Sequence, residues 1–162
     1  MQTLKIDANK AKQLYPNASA EFKAMLEDSF TKDFFSQKIT DRVKTLDDAC
    51  RVLGISQFSL LPSITNNGLE DDTDSIQAYC KLIIIARALN EGWVPDWSDN
   101  NQYKYFPWFD EKEPGFGLSC SVYVSWRTGA TVGSRLCYKT MELAEYAGKQ
   151  FNDIYNQYLS LK

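Results

Sequence analysis

The chain has 162 residues, with 18 Lys or Arg, 21 Asp or Glu, no His and a formal charge of −3. That length fits one domain with a core that needs no staples, and 44% hydrophobic with 24% charged residues is the balance of a soluble globular protein. Without histidine there is no Ser-His or Cys-His nucleophile pair, no His general base and no mixed His metal site, and the mild acidity argues against a protein held to nucleic acid mainly by phosphate contacts.

In chain order, the first half reads as helical. Asp7 is placed to start a short helix over residues 8–14, which Pro16 stops. Ser19 suits an N-cap, and Phe22, Met25, Leu26, Phe30 and Phe34 then recur at helical spacing. Thr45 and Asp48 form the pattern of a capping box, with Leu46, Ala49, Cys50 and Leu53 as the apolar stripe and Gly54 as the stop. Residues 62–75 read as a loop, with Pro62, the Asn66-Asn67-Gly68 turn signal and an acidic run through Asp74. That run lacks the spacing of a calcium loop and suits the start of the next helix dipole. The helix that follows, from about 75 to 91, is apolar over most of its surface and is expected at the centre of the core, with Gly92 closing it.

After Gly92 the pattern changes. Residues 93–126 contain ten aromatics, including all four tryptophans. Residues 103–109 (YKYFPWF) have the content of a strand, and Pro107 limits them to an edge or bulged one. Residues 110–117 make a turn. In 118–127, Leu118, Cys120, Val122, Val124 and Trp126 alternate with Ser119, Ser121, Tyr123, Ser125 and Arg127. Residues 131–138 alternate again, with Val132, Leu136 and Tyr138 on the apolar side and Arg135 and Cys137 opposite. Thr140 caps a last helix running from 141 to about 160, with Leu143, Ala144, Ala147, Phe151, Ile154, Tyr155 and Tyr158 as its stripe. The expected fold is α+β: a helical N-terminal half, a small three-stranded antiparallel meander and a long C-terminal helix packed on the sheet. The expectation is a single domain over 1–162, with a soft seam near 92 between a helical part, 1–92, and the meander plus helix, 93–162.

Residues 48–56 are similar in outline to the first helix and turn of a helix-turn-helix. No Lys or Arg follows between 54 and 69 to reach bases or phosphates, so a capped core helix is the expectation. Asp96, Asp99, Asp110 and Glu111 lie near aromatics as the paired acids of a glycosidase do, but acids flanking turns are common and nothing fixes their separation. The eight glycines form no phosphate-binding loop. Cys50, Cys80, Cys120 and Cys137 contain no C-x-x-C pair and are expected as reduced, mostly buried thiols. No catalytic residue, metal site or cofactor is expected. The N-terminus carries no apolar run of signal-peptide length, and the longest apolar run, 82–86, ends at Arg87, far short of a membrane span. A cytoplasmic protein with no membrane contact follows from this reading. Strand alternation sets Tyr123, Arg127 and Arg135 on the wet face of the meander, with Tyr103 and Tyr105 from the edge strand and Trp97 and Trp108 as exposed anchors. Tyr, Trp and Arg are the residues that recognition surfaces favour.

Residues 39–50 (ITDRVKTLDDAC), 81–93 (KLIIIARALNEGW), 103–109 (YKYFPWF) and 132–151 (VGSRLCYKTMELAEYAGKQF) together resemble a group of small uncharacterised proteins encoded by gut-type bacteria, their prophages and their phages. The likeness runs in one order over most of the chain after Leu14. It implies a phage or mobile-element product acting in the bacterial cytoplasm, or a virion component. The resulting expectation is a non-catalytic protein that binds and inhibits a host protein, an anti-defence inhibitor of a nuclease or its ribonucleoprotein. Direct nucleic-acid binding is not expected. A nucleic-acid-binding regulator and a virion or structural accessory protein are the alternatives.

Overall fold

The computed structural model describes residues 6–56, 72–111, 116–124 and 134–160. The fold is α+β and mostly helical, with eight helices and one two-stranded antiparallel sheet among the described residues.

Local chemistry sets the N-terminal helices. The Asp7 carboxylate accepts from the Lys10 backbone N–H (2.8 Å) to cap α1 (Ala8–Leu14), and a 3₁₀ turn containing Pro16 ends it. Ser19 caps α2 (Ala20–Phe30). The helical spacing does not continue through to Phe34, because Thr31 adopts φ 67° and starts a separate short helix, α3 (Lys32–Ser36). The break folds Phe34 and Phe35 back, so that Phe35 stacks on Tyr15 with centroids 4.0 Å apart and Phe34 meets Phe30 at 5.3 Å. After α4 (Ile39–Arg42), Thr45 and Asp48 close the capping box of α5 (Leu46–Leu53), and Gly54 takes the left-handed conformation at φ 66°. Residues 57–71, which carry the segment after the helix-turn-helix-like turn and most of the expected 62–75 loop, lie outside the described residues; residues 73–75 of that expected loop are instead the first turn of the next helix.

The long helix α6 (Thr73–Asn90) is the centre of the core. Leu82, Ile85 and Leu89 are fully buried, and each contributes about 1.5–3 kcal/mol by leaving water. One face packs on α5, where small Ala49 and Cys50 let the helices approach, and another on the C-terminal helix. Glu91, at φ 49°, and Gly92, at φ 86°, turn the chain out of α6.

In the C-terminal part, β1 (Lys104–Glu111) pairs with β2 (Phe116–Val124). The pairing slips between Trp108 and Phe109. Trp108 faces Cys120 and Phe109 faces Leu118, so Ser119 is the extra residue of a β-bulge. The bulge reverses the expected alternation of β2: Leu118 and Cys120 fall on opposite faces of the sheet. The expected third strand is absent among the described residues. Residues 134–136 form a 3₁₀ turn, Leu136, Cys137 and Tyr138 are all buried, and only Tyr138 pairs. It bridges Tyr105 on the edge of β1 away from β2, with N–H···O distances of 2.7 and 3.1 Å. Strand period places Pro107, which has no N–H, next along that same edge.

The expected continuous last helix is two helices. Phe151, at φ −114° and ψ 28°, separates α7 (Met141–Gln150) from α8 (Asn152–Leu159) and carries its own ring into the core. The break lets α7 lie on the sheet while α8 turns onto α6. A Cβ at Gly148 would stand 2.6 Å from a Leu118 methyl and 2.9 Å from Pro107 Cβ, so the missing side chain is what lets α7 approach the strands.

Candidate functional site

The joint between α6 and the 134–139 segment builds a cleft. Asn90, the last residue of α6, is buried; its side-chain amide donates to the Cys137 carbonyl (2.7 Å) and its oxygen accepts from the Lys139 N–H (3.0 Å). Tyr138, between them, is bonded the other way to Tyr105. One amide thus does for residues 137–139 what a neighbouring strand would do. The next residue, Glu91, braces the same corner through Lys139 (3.3 Å) and Arg42 (3.7 Å).

Two arginines hang from this joint. Arg87 lies three residues before Asn90 on α6, and Arg135 two residues before Cys137; both are exposed. Neither has an ion-pair partner among the described residues. Between them lies a cleft of about 330 Å³, completed by Asn90, Trp93, Val94, Pro95, Trp97 and Cys137. No carboxylate belongs to this lining among the described residues. Lys104, 0% exposed, adds a third cation behind it: its Nζ sits 5.5 Å from the Trp97 ring centroid and donates to the Asp99 carbonyl (2.9 Å). The Trp97 indole N–H is buried and has no acceptor among the described residues. Burial pushes the Cys137 thiol up to about 11, with Lys104 opposing the shift, so the thiol is protonated and unreactive at neutral pH.

The acids around the loop act as turn formers. Asp96 accepts from the Ser98 hydroxyl (2.6 Å) and N–H (2.8 Å), which hold its carboxyl below the usual carboxylate range. Asp99 accepts from the Asn101 N–H (2.8 Å), and Asp110 from the Trp108 indole N–H (3.1 Å). A second cavity, of about 160 Å³, lies between β1 and α8 and is walled by Phe106, Phe109, Leu136, Tyr155 and Tyr158. Tyr155 and Tyr138 share a buried hydroxyl contact of 3.1 Å, and burial drives both phenols far above their ordinary value. Among the described residues, no group of three or more Cys, Asp or Glu side chains is placed to hold a metal ion, and no helix is long and apolar enough to cross a membrane.

Among the described residues, the expected recognition residues fall in more than one place. Trp97 and Arg135 meet in the cleft. Trp108 is 46% exposed and Tyr103 49% exposed. Tyr105 is half-buried and packs on the core through the helix-covered side of β1, so it is not part of a wet face. Tyr123 is the register partner of Tyr105, and Arg127 lies outside the described residues. The exposed end of the opposite face holds Trp108 and Asp110 from β1 and Cys120 from β2. Arg87, Asn90, Trp93 and Pro95 were not legible as site residues. Their signal was present: a charge ending an apolar run, a polar residue closing a buried helix, and a Trp-Val-Pro-Asp-Trp segment after Gly92. No protein family, curated protein or solved structure matches this chain.

Proposed function

We propose that the chain is a non-catalytic interaction protein of phage or prophage origin that binds and blocks a bacterial host protein, with a nucleic-acid-processing defence complex as the target. The observation that carries this reading is the Trp108 side chain. A tryptophan half open to water, with its N–H tied to Asp110, is a large contact element whose ring orientation is already fixed. Residues of this type dominate binding energy when a partner covers them. The net charge of −3 suits a basic partner surface, such as a nucleic-acid channel, and raises the rate of encounter with it. The groups with the largest acid–base perturbation, Tyr138, Tyr155 and Cys137, are all shifted toward their protonated forms by burial, which suits packing.

The test is affinity purification of the tagged full chain from a bacterial host lysate, with and without nuclease treatment. The expected result is a stoichiometric, nuclease-resistant host protein whose activity falls on adding the chain. Trp108→Ala is expected to weaken that complex by about 30-fold, the effect of a hot-spot residue, without changing the circular dichroism spectrum. Partners lost on nuclease treatment, or a Trp108→Ala variant that binds and inhibits as the parent does, would overturn the reading.

A further inference from the structure

The cleft at the α6–137 joint does not need a protein partner to be read. Its two exposed arginines come from different elements, which Asn90 joins through its bond to the Cys137 carbonyl. Other cations pair with carboxylates: Arg42 and Lys139 with Glu91, Arg51 with Asp48, Lys149 with Glu145. Arg87 and Arg135 both line a cleft that has no carboxylate among its described lining residues, although Arg87 also lines a neighbouring cavity that contains Glu91, and Lys104 lies against the Trp97 ring. Two arginines on one cleft, with no ion-pair partner among the described residues, favour a planar, multi-oxygen anion, because the guanidinium fork matches carboxylate and phosphate geometry. The remaining walls are flat and apolar: Trp93, Trp97, Val94 and Pro95. Indole faces hold planar rings, base rings included.

Size and surrounding charge decide between one nucleotide and a strand. About 330 Å³ is at the small end of ligand-site volumes. Asp96 and Asp99 are exposed on the loop that carries Trp97, where they would repel a run of phosphates. The geometry points to a site for a free nucleoside monophosphate: the phosphate lies between Arg87 and Arg135, and the base lies against the Trp93 and Trp97 side of the cleft. This site is independent of the protein partner proposed above, whose anchor Trp108 lies outside the cleft.

Isothermal titration of the full chain with AMP, GMP, CMP and UMP tests this, with tryptophan fluorescence as a second readout. At least one of them is expected to bind with one site per chain and a Kd of about 1–100 μM. The matching nucleoside and inorganic phosphate alone are each expected to bind about tenfold or more weakly. Arg87→Ala and Arg135→Ala should each weaken binding by about tenfold or more, and Arg135→Lys should restore only part of it, because the fork is lost. Both arginines are exposed, so unchanged circular dichroism and melting are expected for these variants. Trp108→Ala, which tests the protein partner, should leave nucleotide affinity unchanged. Four results would each overturn the proposal: no binding of any monophosphate at about 5 mM; affinity unchanged in both arginine variants; phosphate or nucleoside binding as well as the nucleotide; or a short single-stranded oligonucleotide binding more tightly with steep salt dependence.

Discussion

Replacing Asn90 by leucine keeps the approximate size of the side chain and removes both of its hydrogen bonds. The Cys137 carbonyl and the Lys139 N–H then lose their partner together. A buried backbone group left unsatisfied costs about 1–3 kcal/mol. Cys137 is fully buried and falls at the upper part of that range, whereas Lys139 is half-buried and water can reach its N–H. The sum is about 2–4 kcal/mol, which for a chain of this length lowers the melting midpoint by roughly 5–15 °C. Thermal melts and urea titrations followed by circular dichroism read the loss directly. Amide hydrogen exchange localises it, because Tyr138 and Lys139 should lose protection before the centre of α6 does. Asn90→Asp keeps the acceptor for Lys139 but sets a negative oxygen against the Cys137 carbonyl, so it should also destabilise. An Asn90→Leu variant within about 0.5 kcal/mol of the parent, with Tyr138 still protected, would refute the reasoning and show that the Tyr105–Tyr138 bridge and the Glu91–Lys139 pair hold the segment without it.

Other perturbations follow from the same geometry. Gly148→Ala should destabilise by about 1–3 kcal/mol in a urea titration, although alanine gains about 1 kcal/mol of helix propensity, because the new methyl meets the Pro107 ring and Leu118. Thr45→Ala should cost about 1 kcal/mol of stability at neutral pH by opening the capping box of α5. The Thr45 hydroxyl and nearby backbone N–H groups hold the Asp48 carboxyl below its free value. Its contribution is therefore complete above about pH 4 and is lost as pH falls below that, so the difference between Thr45→Ala and the parent should shrink in acid melts. With a thiol-specific disulfide reagent at pH 8, exposed Cys120 should react at once, whereas Cys137, and Cys50 whose thiol burial also raises, should react only on unfolding. Raised in the fold, the Cys137 thiol favours the folded state below about pH 8.5, and that advantage declines as the pH rises toward 11.

Helix starts were legible because each is a local event. Asp7, Ser19, Thr45 and Thr140 cap the helices that their side chains announce, within three residues of sequence. The burial of 82–89 was legible from its apolar surface alone. What failed depends on distant partners. Nothing near Ser119 marks it as the bulged residue; the bulge is defined by the slip between Trp108 and Phe109 across the sheet. The alternation in 131–138 suggested a strand, yet Asn90 holds residues 137–139 from one side and Tyr105 from the other, and Cys137 is buried on the face expected to be wet. The last helix gave no warning of a break at Phe151, because the break answers to two surfaces, the sheet and α6, that lie at an angle to one another. The candidate site suffered for the same reason. Trp97 and Arg135 were recognised by type, but the residues that bring them together, Arg87 and Asn90, lie on a helix that reads as core.

The edge of β1 away from β2 decides how this protein behaves in the company of its own copies. A bare strand edge offers N–H and C=O groups at every second residue, and another molecule's strand can zip onto them. Here Tyr105 has already committed both groups to Tyr138, and the next position to face outward is Pro107, which has no hydrogen to give. An incoming strand would lose consecutive rungs of the ladder at the point where pairing has to begin. The two-stranded sheet is thus closed to extension from that side without a third strand to cover it.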